Sequence, residues 1–345
     1  MGCWKDKIWL IKRQYKMKNV LVTGGGGFLG SAIVKLLVEK NMKVRTLSRR
    51  IYPNLTALGV EQVQGDIADA AVVTAACEGI DTIFHTAAKA GIWGPYHQFY
   101  QTNVIGTQNI ITACKMNSRV NLIYTSSPSV VFDGKDMKGA DELAPYPKNY
   151  SAAYPKTKAM AEQSVRKACE NGLCSIILRP HLIWGPKDNH LVPAILTRAH
   201  RLRQIGDGSN KVDTVYIDNA ALAHLLAQKA LSNNPALSGR IYFISQDSPI
   251  KLWEMVNLIL AAGEKPPVTR TISPQKAYFI GVMMESIFRI LKIKHEPPMT
   301  RFLAQELSLS HWFNISAAKK DLMYKPKVSI EEGLERLKKW LTDRN

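Results

Sequence analysis

Eight residues near the start of the chain, TGGGGFLG at 23–30, constrain its fold more than any other segment. The β-branched run VLVT precedes them and FLGSAIVKLLVEK follows, so the pattern predicts a strand, a tight turn and a helix. Glycines in such a turn let a phosphate approach the backbone, and the helix N-terminus supplies free N–H groups. The loop fits two dinucleotide-binding spacings, G-x-G-x-x-G from Gly25 and G-x-x-G-x-x-G from Gly24, and by itself favours neither.

Short apolar runs alternate with longer helical patterns as far as about residue 179, which is typical of a parallel sheet wrapped by helices. The predicted strands are 19–23, 43–47, 62–64, 82–85, 120–126 and 175–179. The predicted crossover helices are 32–39, 70–77, 103–115 and 153–169. We therefore predict an α/β fold, a Rossmann-type doubly wound parallel sheet that binds its ligands at the carboxyl ends of the strands.

The chain has 345 residues and a net charge of +18. Its basic residues are spread out and no nucleic-acid-binding module is recognisable, so we expect no nucleic acid partner. The positive field favours anionic substrates, anionic lipid or an acidic partner instead. Five cysteines form no C-x-x-C pair and their odd number argues against a disulfide framework, which predicts a reducing, cytoplasmic compartment.

The residues after the second predicted strand indicate which dinucleotide binds. An Asp or Glu there would bond the ribose 2′-OH of NAD, whereas an Arg accommodates the 2′-phosphate of NADP. Here the strand leads into Ser48, Arg49 and Arg50 with no acid among them, which predicts NADP(H). Arginines that merely face solvent would weaken this preference. Farther on, Asp66 could accept the adenine amino group, and Ile67 after it is a second candidate contact.

We divide the chain into a leader at 1–16, an NADP-binding domain with the catalytic residues at 17–180, and a third region at 181–345. This third region is smaller, mostly helical, mainly substrate-binding and interleaved with the sheet. The leader lacks the features of a signal peptide, and MKNVLVTGG looks like a complete start, so we expect the leader to be disordered or mis-assigned. The alternative is a basic, aromatic membrane-surface segment.

Tyr154 and Lys158 form Y-x-x-x-K within a helical pattern, and positions four apart share one helix face. A nearby ammonium would lower the pKa of the tyrosine, so the pair could act as general acid and base on a carbonyl or an alcohol. The run LIYTSSPSV at 122–130 brings serine hydroxyls to the same sheet edge, where one can donate to a developing oxyanion. The alternative, a nucleophilic serine, lacks its G-x-S-x-G turn. The histidines show no metal-ligand spacing, so we predict no metal.

Taken together, these motifs resemble the extended short-chain dehydrogenase/reductases. The resemblance rests on TGGGGFLG and Y-x-x-x-K together with GDIAD, FHTAA, NVIGT, YTSS and RPHLIWGP, which fall in the family's order along the chain. In that family the glycine frame is Gly24, Gly27 and Gly30, which leaves Gly25 as a permissive extra.

The resemblance also implies roles for other residues. Ser127, Tyr154 and Lys158 would be catalytic. Tyr154 and Lys158 would also contact the cofactor, Lys158 by bonding the nicotinamide ribose. The further cofactor contacts that it implies are Phe28, Leu29, Ala87, Ala88, Lys89, Asn103 and Pro180. The candidate substrate contacts are Trp93, Ser129, His181 and Trp184.

Within that family, VDTVYIDNAALAH and the segment 300–334 are similar to the 3β-hydroxysteroid dehydrogenase branch. AAKAGIWG, LIWGP, GDGSNKVDT and EPPMTRFLA resemble the 2-alkyl-3-oxoalkanoate reductases of bacterial long-chain olefin biosynthesis. This resemblance implies NADPH-dependent reduction of a long-chain 2-alkyl-3-oxoalkanoic acid to the 2-alkyl-3-hydroxyalkanoic acid. The alternatives are a 3β-hydroxysteroid or sterol dehydrogenase, a nucleotide-sugar epimerase or dehydratase, and a non-catalytic NADP sensor.

The resemblance implies protein partners as well. Members of the family commonly form a homodimer through the helix that bears Y-x-x-x-K. Relatives in olefin biosynthesis work alongside a thiolase, a β-lactone synthetase and a decarboxylase, so a complex with such enzymes is expected.

The most apolar segment is AYFIGVMMESIFRIL at 277–291, which is too short to span a bilayer and carries Glu285 and Arg289. The pattern favours a core helix or a lid helix. The alternative is an interfacial helix through which an apolar substrate enters, which would place the protein peripherally at the membrane.

Overall fold

The computed structural model describes residues 19–116 and 120–344. The predicted leader therefore lies outside the described residues. The fifteen strands of the described residues are β1 Asn19–Thr23, β2 Lys43–Ser48, β3 Glu61–Gln64, β4 Thr82–His85, β5 Asn121–Thr125, β6 Met137–Ala140, β7 Ser175–Pro180, β8 Ile183–Trp184, β9 Gln204–Ile205, β10 Lys211–Val212, β11 Val215–Tyr216, β12 Ile241–Ile244, β13 Ile250–Lys251, β14 Thr271–Ile272 and β15 His311–Phe313.

The α-helices of the described residues follow most of these strands. They are α1 Phe28–Glu39, α2 Pro53–Thr56, α3 Ala70–Ala76, α4 Tyr96–Phe99, α5 Gly106–Met116, α6 Ala153–Glu170, α7 Leu191–Thr197, α8 Ile217–Asn233, α9 Leu252–Ala262, α10 Pro274–Ile290, α11 Arg301–Glu306, α12 Ser316–Leu322 and α13 Ile330–Thr342. A π-helical segment, Tyr100–Ile105, joins α4 to α5, and 3-10 turns occupy Pro128–Val131, Ala199–Arg201 and Pro235–Leu237.

Seven strands form one parallel sheet in the order β12-β7-β5-β4-β1-β2-β3. The strand order reverses beside β1, which pairs with β2 on one side and with β4 on the other. Ligands of open α/β sheets bind at such a reversal, outside the carboxyl ends of the strands. The glycine loop follows β1 at this point. The predicted doubly wound parallel sheet is confirmed.

Helices cover both faces of this sheet, which explains why its central strands read as continuous apolar runs. Val20 and Val22 point into one core together with residues of α1 and α8. Leu21 and Leu122 point into the other core together with residues of α3, α5 and α6. The period of two along each strand therefore divides its side chains between two cores.

Two parts of the fold differ from the predicted elements. The sheet has a seventh strand, β12, which pairs with β7 although it comes more than sixty residues later. Its run IYFI is too short for a periodic pattern, so only its burial between neighbouring elements identifies it. The helix predicted from Asn103 begins earlier, at α4, and passes through the π-helical segment. There the Asn103 side chain bonds the backbone N–H and C=O of Lys89.

The apolar helix α10 is not a core helix. Ala277, Gly281 and Glu285 are its buried residues, and Gly281 lies so close to Thr300 that a Cβ would come 2.6 Å from the Thr300 carbonyl carbon. Its opposite face is exposed. Within residues 19–116 and 120–344, no helix is both long enough and apolar enough to cross a bilayer.

Candidate active site

The glycine loop turns tightly between β1 and α1. Gly24 has a positive φ of +69°, and its N–H donates to the Leu47 carbonyl at 2.8 Å. A Cβ on Gly30 would come 2.2 Å from the Gly24 carbonyl oxygen, and a Cβ on Gly24 would come 2.9 Å from the Ala87 Cα. The frame of Gly24, Gly27 and Gly30 therefore has a steric basis in the loop itself.

Gly25 is not the permissive extra that the resemblance implies. A Cβ at this position would lie 2.4 Å from Cγ2 of Thr46, whose side chain is buried in β2. Gly26 is also restricted, because a Cβ there would overlap the ring of Tyr52. Gly24, Gly25 and Gly30 therefore leave no room for a Cβ, whether or not they face a phosphate.

A cavity of about 1220 Å³ runs along the carboxyl edge of the sheet. The predicted site residues among its lining are Gly24, Gly27, Phe28, Leu29, Gly30, Ser48, Arg49, Arg50, Asp66, Ile67, Ala87, Ala88, Ser127, Tyr154, Lys158 and Pro180. The cavity thus connects the glycine loop, the end of β2 and the serine, tyrosine and lysine of the predicted catalytic set.

The cavity fits a nicotinamide dinucleotide. The N-cap of helix α1 is Gly27, which has no side chain to cap the helix, so its first N–H groups are left without a capping side chain. The buried hydroxyl of Ser48 has no hydrogen-bond partner among the described residues. A phosphate oxygen beside Ser48 would satisfy that hydroxyl, since buried polar groups are rarely left unpaired.

The two arginines after β2 differ in their surroundings. Arg50 donates from Nε to the Tyr52 hydroxyl at 3.1 Å, and its guanidinium lies 5.2 Å from the centre of the Tyr52 ring. Arg49 is exposed at the cavity wall. Tyr52 therefore holds Arg50 in place, and both arginines line the cavity together with Ser48.

Ser127 and Tyr154 line the same cavity. Ser127 caps the 3-10 turn after β5 and accepts a hydrogen bond from the Ser129 N–H at 3.2 Å. Tyr154 stands in the first turn of α6. Burial raises the pKa of Tyr154 above its usual value, and a hydrogen bond with Ser127 acts in the opposite direction. Tyr154 is therefore a protonated phenol at neutral pH and can give a proton away.

The sequence predicts that the ammonium of Lys158 lowers the pKa of Tyr154, and this prediction is wrong. Lys158 donates from Nζ to the Tyr124 hydroxyl at 2.9 Å and to the Thr125 carbonyl at 2.6 Å. Its ammonium therefore points at β5 rather than at the phenol of Tyr154. Burial lowers the pKa of Lys158 to about 7, and the carboxylate of Glu162 opposes that shift.

Glu162 lies one turn after Lys158 on α6, is fully buried and receives four hydrogen bonds. Arg179 donates to both of its oxygens, from Nη2 at 2.5 Å and from Nε at 3.1 Å. Tyr146 donates at 2.6 Å, and Ser126 donates from the residue before Ser127. This network ties α6, β7 and the catalytic serine loop together, and no sequence motif pointed to it.

We expect the Kd of the dinucleotide to depend on pH through Lys158. Because the folded pKa is lowered to about 7, the ammonium of the free protein loses its proton as pH rises through that value. The Kd for NADPH should then rise by about tenfold, as expected for the loss of one charged hydrogen bond. Isothermal titration from pH 6.5 to 9 measures the effect. The Lys158→Met variant should show no such rise, and an equal rise in that variant would exclude Lys158 as its source.

Several predicted site residues lie outside this cavity lining. The Asn103 side chain bonds the backbone of Lys89, and Asn103 also donates to the Thr157 hydroxyl at 3.0 Å. Trp93 lines a second cavity, of about 590 Å³. Ser129 bonds to Ser127, with 2.9 Å between their hydroxyl oxygens. Asn103 and Ser129 can therefore act by holding neighbours in place.

The structure corrects two of the predicted substrate contacts. His181 is buried, and its Nε2 lies 2.6 Å from Nδ1 of His311. Trp184 is fully buried, and its ring packs edge-on against Tyr216. Both side chains are buried, and neither is among the residues that line either cavity.

Residues that the sequence did not indicate form the other end of the cavity. They are Leu182, Ile183, Asp188, Asn189, His190, Leu191, Pro193, Ala194, Thr197, Arg198, Glu296 and Leu303. Most belong to α7 and to the turn before it, which follow the RPHLIWGP motif directly. Asp188 holds this turn by accepting the N–H groups of His190 and Val192, both at 2.8 Å. In the described part of the chain, no group of three His, Cys, Asp or Glu side chains could hold a metal.

Comparison with known proteins identifies the family of this chain. The pattern of the 3-beta hydroxysteroid dehydrogenase/isomerase family matches residues 21–269, well over half of the chain. The chain belongs to the 3-beta hydroxysteroid dehydrogenase/isomerase family. The expected family and the expected class of enzyme, an NAD(P)-dependent oxidoreductase, are confirmed.

Within the 3-beta hydroxysteroid dehydrogenase/isomerase family, the chain is similar to two bacterial 2-alkyl-3-oxoalkanoate reductases. It is 49% identical to that of Stenotrophomonas maltophilia, over 93% of this chain and 98% of the relative. It is 45% identical to that of Shewanella oneidensis, over 94% of this chain and 86% of the relative. It is also 31% identical to the mouse decarboxylating sterol-4-alpha-carboxylate 3-dehydrogenase, over 93% and 90% of the two chains.

Solved structures share the fold. The crystal structure of gox2253 superposes with a TM-score of 0.77 at 26% identity, covering 95% of this chain and 99% of that one. The UDP-glucuronic acid 4-epimerase of Bacillus cereus, solved in complex with NAD, superposes with a TM-score of 0.72 at 22% identity, over 94% and 99%. At that identity the likeness to the epimerase concerns the fold alone.

Proposed function

We propose that this protein reduces a long-chain 2-alkyl-3-oxoalkanoic acid to the 2-alkyl-3-hydroxyalkanoic acid with NADPH, in long-chain olefin biosynthesis. The observation that carries the proposal is the identity of 45–49% to two reductases of this name across nearly the whole chain. The cavity supports it, because Ser127, Tyr154 and Lys158 line it beside a glycine loop that fits a dinucleotide.

In this proposal the side chains of the protein hold the ketone and move its proton. Ser127 donates to the ketone oxygen, where negative charge develops during reduction. Tyr154 then gives that oxygen its phenolic proton. Lys158 holds the ribose and is itself fixed by Tyr124 and Thr125. The nicotinamide cofactor supplies the hydride when it is bound.

The far end of the cavity suits a substrate with two alkyl chains and a carboxylate. Leu182, Ile183 and Leu303 offer apolar surface, and His190 and Arg198 are basic groups in the same lining. The mouse relative's name describes a 3-hydroxyl next to a 4-carboxylate, so its substrate is also an acid with an oxygen function on the β-carbon. We take this shared chemistry as support for a β-oxo or β-hydroxy acid.

The substrate assay tests this proposal most directly. Because 3-oxo acids lose carbon dioxide readily, the reaction is best measured in reverse, with a long-chain 2-alkyl-3-hydroxyalkanoic acid and NADP⁺ at 340 nm. We expect a kcat/KM well above that for a 3β-hydroxysteroid, and no turnover of UDP-glucuronic acid. A higher kcat/KM for the steroid would favour the second candidate, a steroid or sterol dehydrogenase, which the identity to the mouse relative supports.

The preference for NADPH rests on Ser48 and Arg49. We expect Arg49→Ala to raise the Kd for NADPH by about tenfold or more, as removal of a charged hydrogen bond implies, and to leave the Kd for NADH unchanged. The control is Arg240→Ala, since Arg240 pairs with Asp321 before β12, at the opposite end of the strands. Fluorescence titration of both dinucleotides measures the ratio. Equal losses for NADPH and NADH would remove Arg49 from 2′-phosphate recognition.

We also propose a cellular compartment, an oligomeric state and partner enzymes for this protein. We place the protein in the cytoplasm, as a homodimer formed through α6. Because 3-oxo acids are unstable and 2-alkyl-3-hydroxy acids are precursors for ring closure, it would act between a thiolase and a β-lactone synthetase, ahead of a decarboxylase.

A further inference from the structure

Helix α10 presents a continuous apolar face to solvent. Phe279, Met283, Ile287 and Ile290 repeat at the spacing of one helix face, and Phe279 and Ile290 are 62% and 78% exposed. Ile280 and Leu291 extend this surface, and we call the six side chains the α10 apolar face. The opposite side of the helix packs on the protein, so the orientation of α10 is fixed and the exposure of the face is built into the fold.

The charges around the α10 apolar face are mainly basic. Lys276 lies at its first turn, and Arg289, Lys292 and Lys294 lie at its end, all of them exposed. The acid within the helix, Glu285, is buried. Its Oε2 accepts a hydrogen bond from Nη2 of Arg301 at 2.8 Å and pairs with Nη2 of Arg289 at 3.1 Å. Glu296 is an exposed acid farther along. A surface with an apolar centre and basic ends matches an anionic lipid bilayer, whose interface offers hydrocarbon and negative headgroups.

We infer that the α10 apolar face docks this protein on the surface of an anionic lipid bilayer. A second copy of the chain fits less well. In an antiparallel pair of α10 helices, Lys276 would face Lys292 and Arg289 of the partner helix, and in a parallel pair each cation would face its own copy. Either arrangement brings like charges together at both ends of the helix, whereas the bilayer supplies the opposite charge.

If the proposed function holds, docking through α10 would also bring the catalytic cavity close to the bilayer. The second cavity lies between Phe288 and Arg289 of α10, the loop with Ile92 and Trp93, and the residues just before Tyr154. Ile92 lines the main cavity as well. A docked α10 would thus place a route for alkyl chains between the bilayer and the catalytic cavity.

The experiment is co-sedimentation of the full-length protein with vesicles of phosphatidylcholine alone or mixed equally with phosphatidylglycerol. We expect binding to the mixed vesicles, and we expect Phe279→Ser with Ile290→Ser to weaken it by at least about tenfold. Lys276→Gln with Lys292→Gln should weaken binding to the mixed vesicles by at least about fivefold. Leu143→Ser is the matched control, since Leu143 is 88% exposed in the loop after β6, outside α10, and should not matter.

NADPH binding by each variant shows that it is folded, and it makes the test independent of turnover. Equal vesicle binding by the wild type and the Phe279→Ser, Ile290→Ser variant would overturn the inference. So would a sedimentation-equilibrium result in which that variant lowers the oligomeric state and no form binds vesicles, because a second copy would then cover the face. Failure of the substrate assay with intact vesicle binding would count against the proposed function alone.

Discussion

Replacing Tyr154 with Phe should lower kcat by about 10²- to 10⁴-fold, the usual contribution of a general acid. The variant loses the phenolic proton and keeps the ring that fills the first turn of α6. Because the groups expected to hold the phosphates are the glycine loop, Ser48 and Arg49 rather than the phenol, the Kd for NADPH should stay within about twofold of the wild type. Steady-state turnover of the 2-alkyl-3-hydroxy acid and fluorescence titration of NADPH measure the two effects separately.

A matched tyrosine makes the effect on turnover specific. Tyr324 is buried and donates its hydroxyl to the Ser245 carbonyl at 3.0 Å, outside the lining of either cavity. Tyr324→Phe should therefore cost about 1 kcal/mol of stability and leave kcat close to that of the wild type. If Tyr154→Phe kept more than a tenth of the wild-type kcat, Tyr154 would not be the acid.

Replacing Glu162 with Gln should lower the free energy of unfolding by about 3–5 kcal/mol, because it leaves the buried charge of Arg179 without its carboxylate. Glu162 and Arg179 are both almost completely buried, so solvent cannot replace the missing charge. Urea unfolding followed by fluorescence measures the loss. The same change should move the pH step in NADPH binding below about 7, since Glu162 now raises the pKa of Lys158.

The exposed pair of Arg336 and Glu332 serves as the control for Glu162. Its two side chains are about half exposed, and Glu332→Gln should change the free energy of unfolding by less than about 1 kcal/mol. Equal losses in the two variants would mean that burial adds nothing to the Glu162 pair. An unchanged pH step in Glu162→Gln would separate Glu162 from Lys158 and leave it a purely structural role.

The sequence predicted the elements that carry the candidate site where local patterns hold the information. Strand, glycine turn and helix appear in order around TGGGGFLG, and Y-x-x-x-K puts Tyr154 and Lys158 on one helix by spacing alone. Patterns failed where a side chain's surroundings come from distant segments. His181 contacts His311, which is 130 residues away, and Trp184 packs on Tyr216. The residues next to His181 and Trp184 in the sequence therefore could not show that both side chains are buried.

The sequence by itself determined the parallel sheet, the dinucleotide loop and the identity of the hydroxyl and amine groups at the carboxyl edge, because these follow from residue periods and short motifs. Only the tertiary structure decided that β12 completes the sheet, that Lys158 bonds Tyr124 and Thr125, and that the buried Glu162 pairs with Arg179. It also decided that α10 turns its apolar face outward. The physical reason is that periodicity tells which side chains share a face, whereas packing between distant elements decides what that face meets.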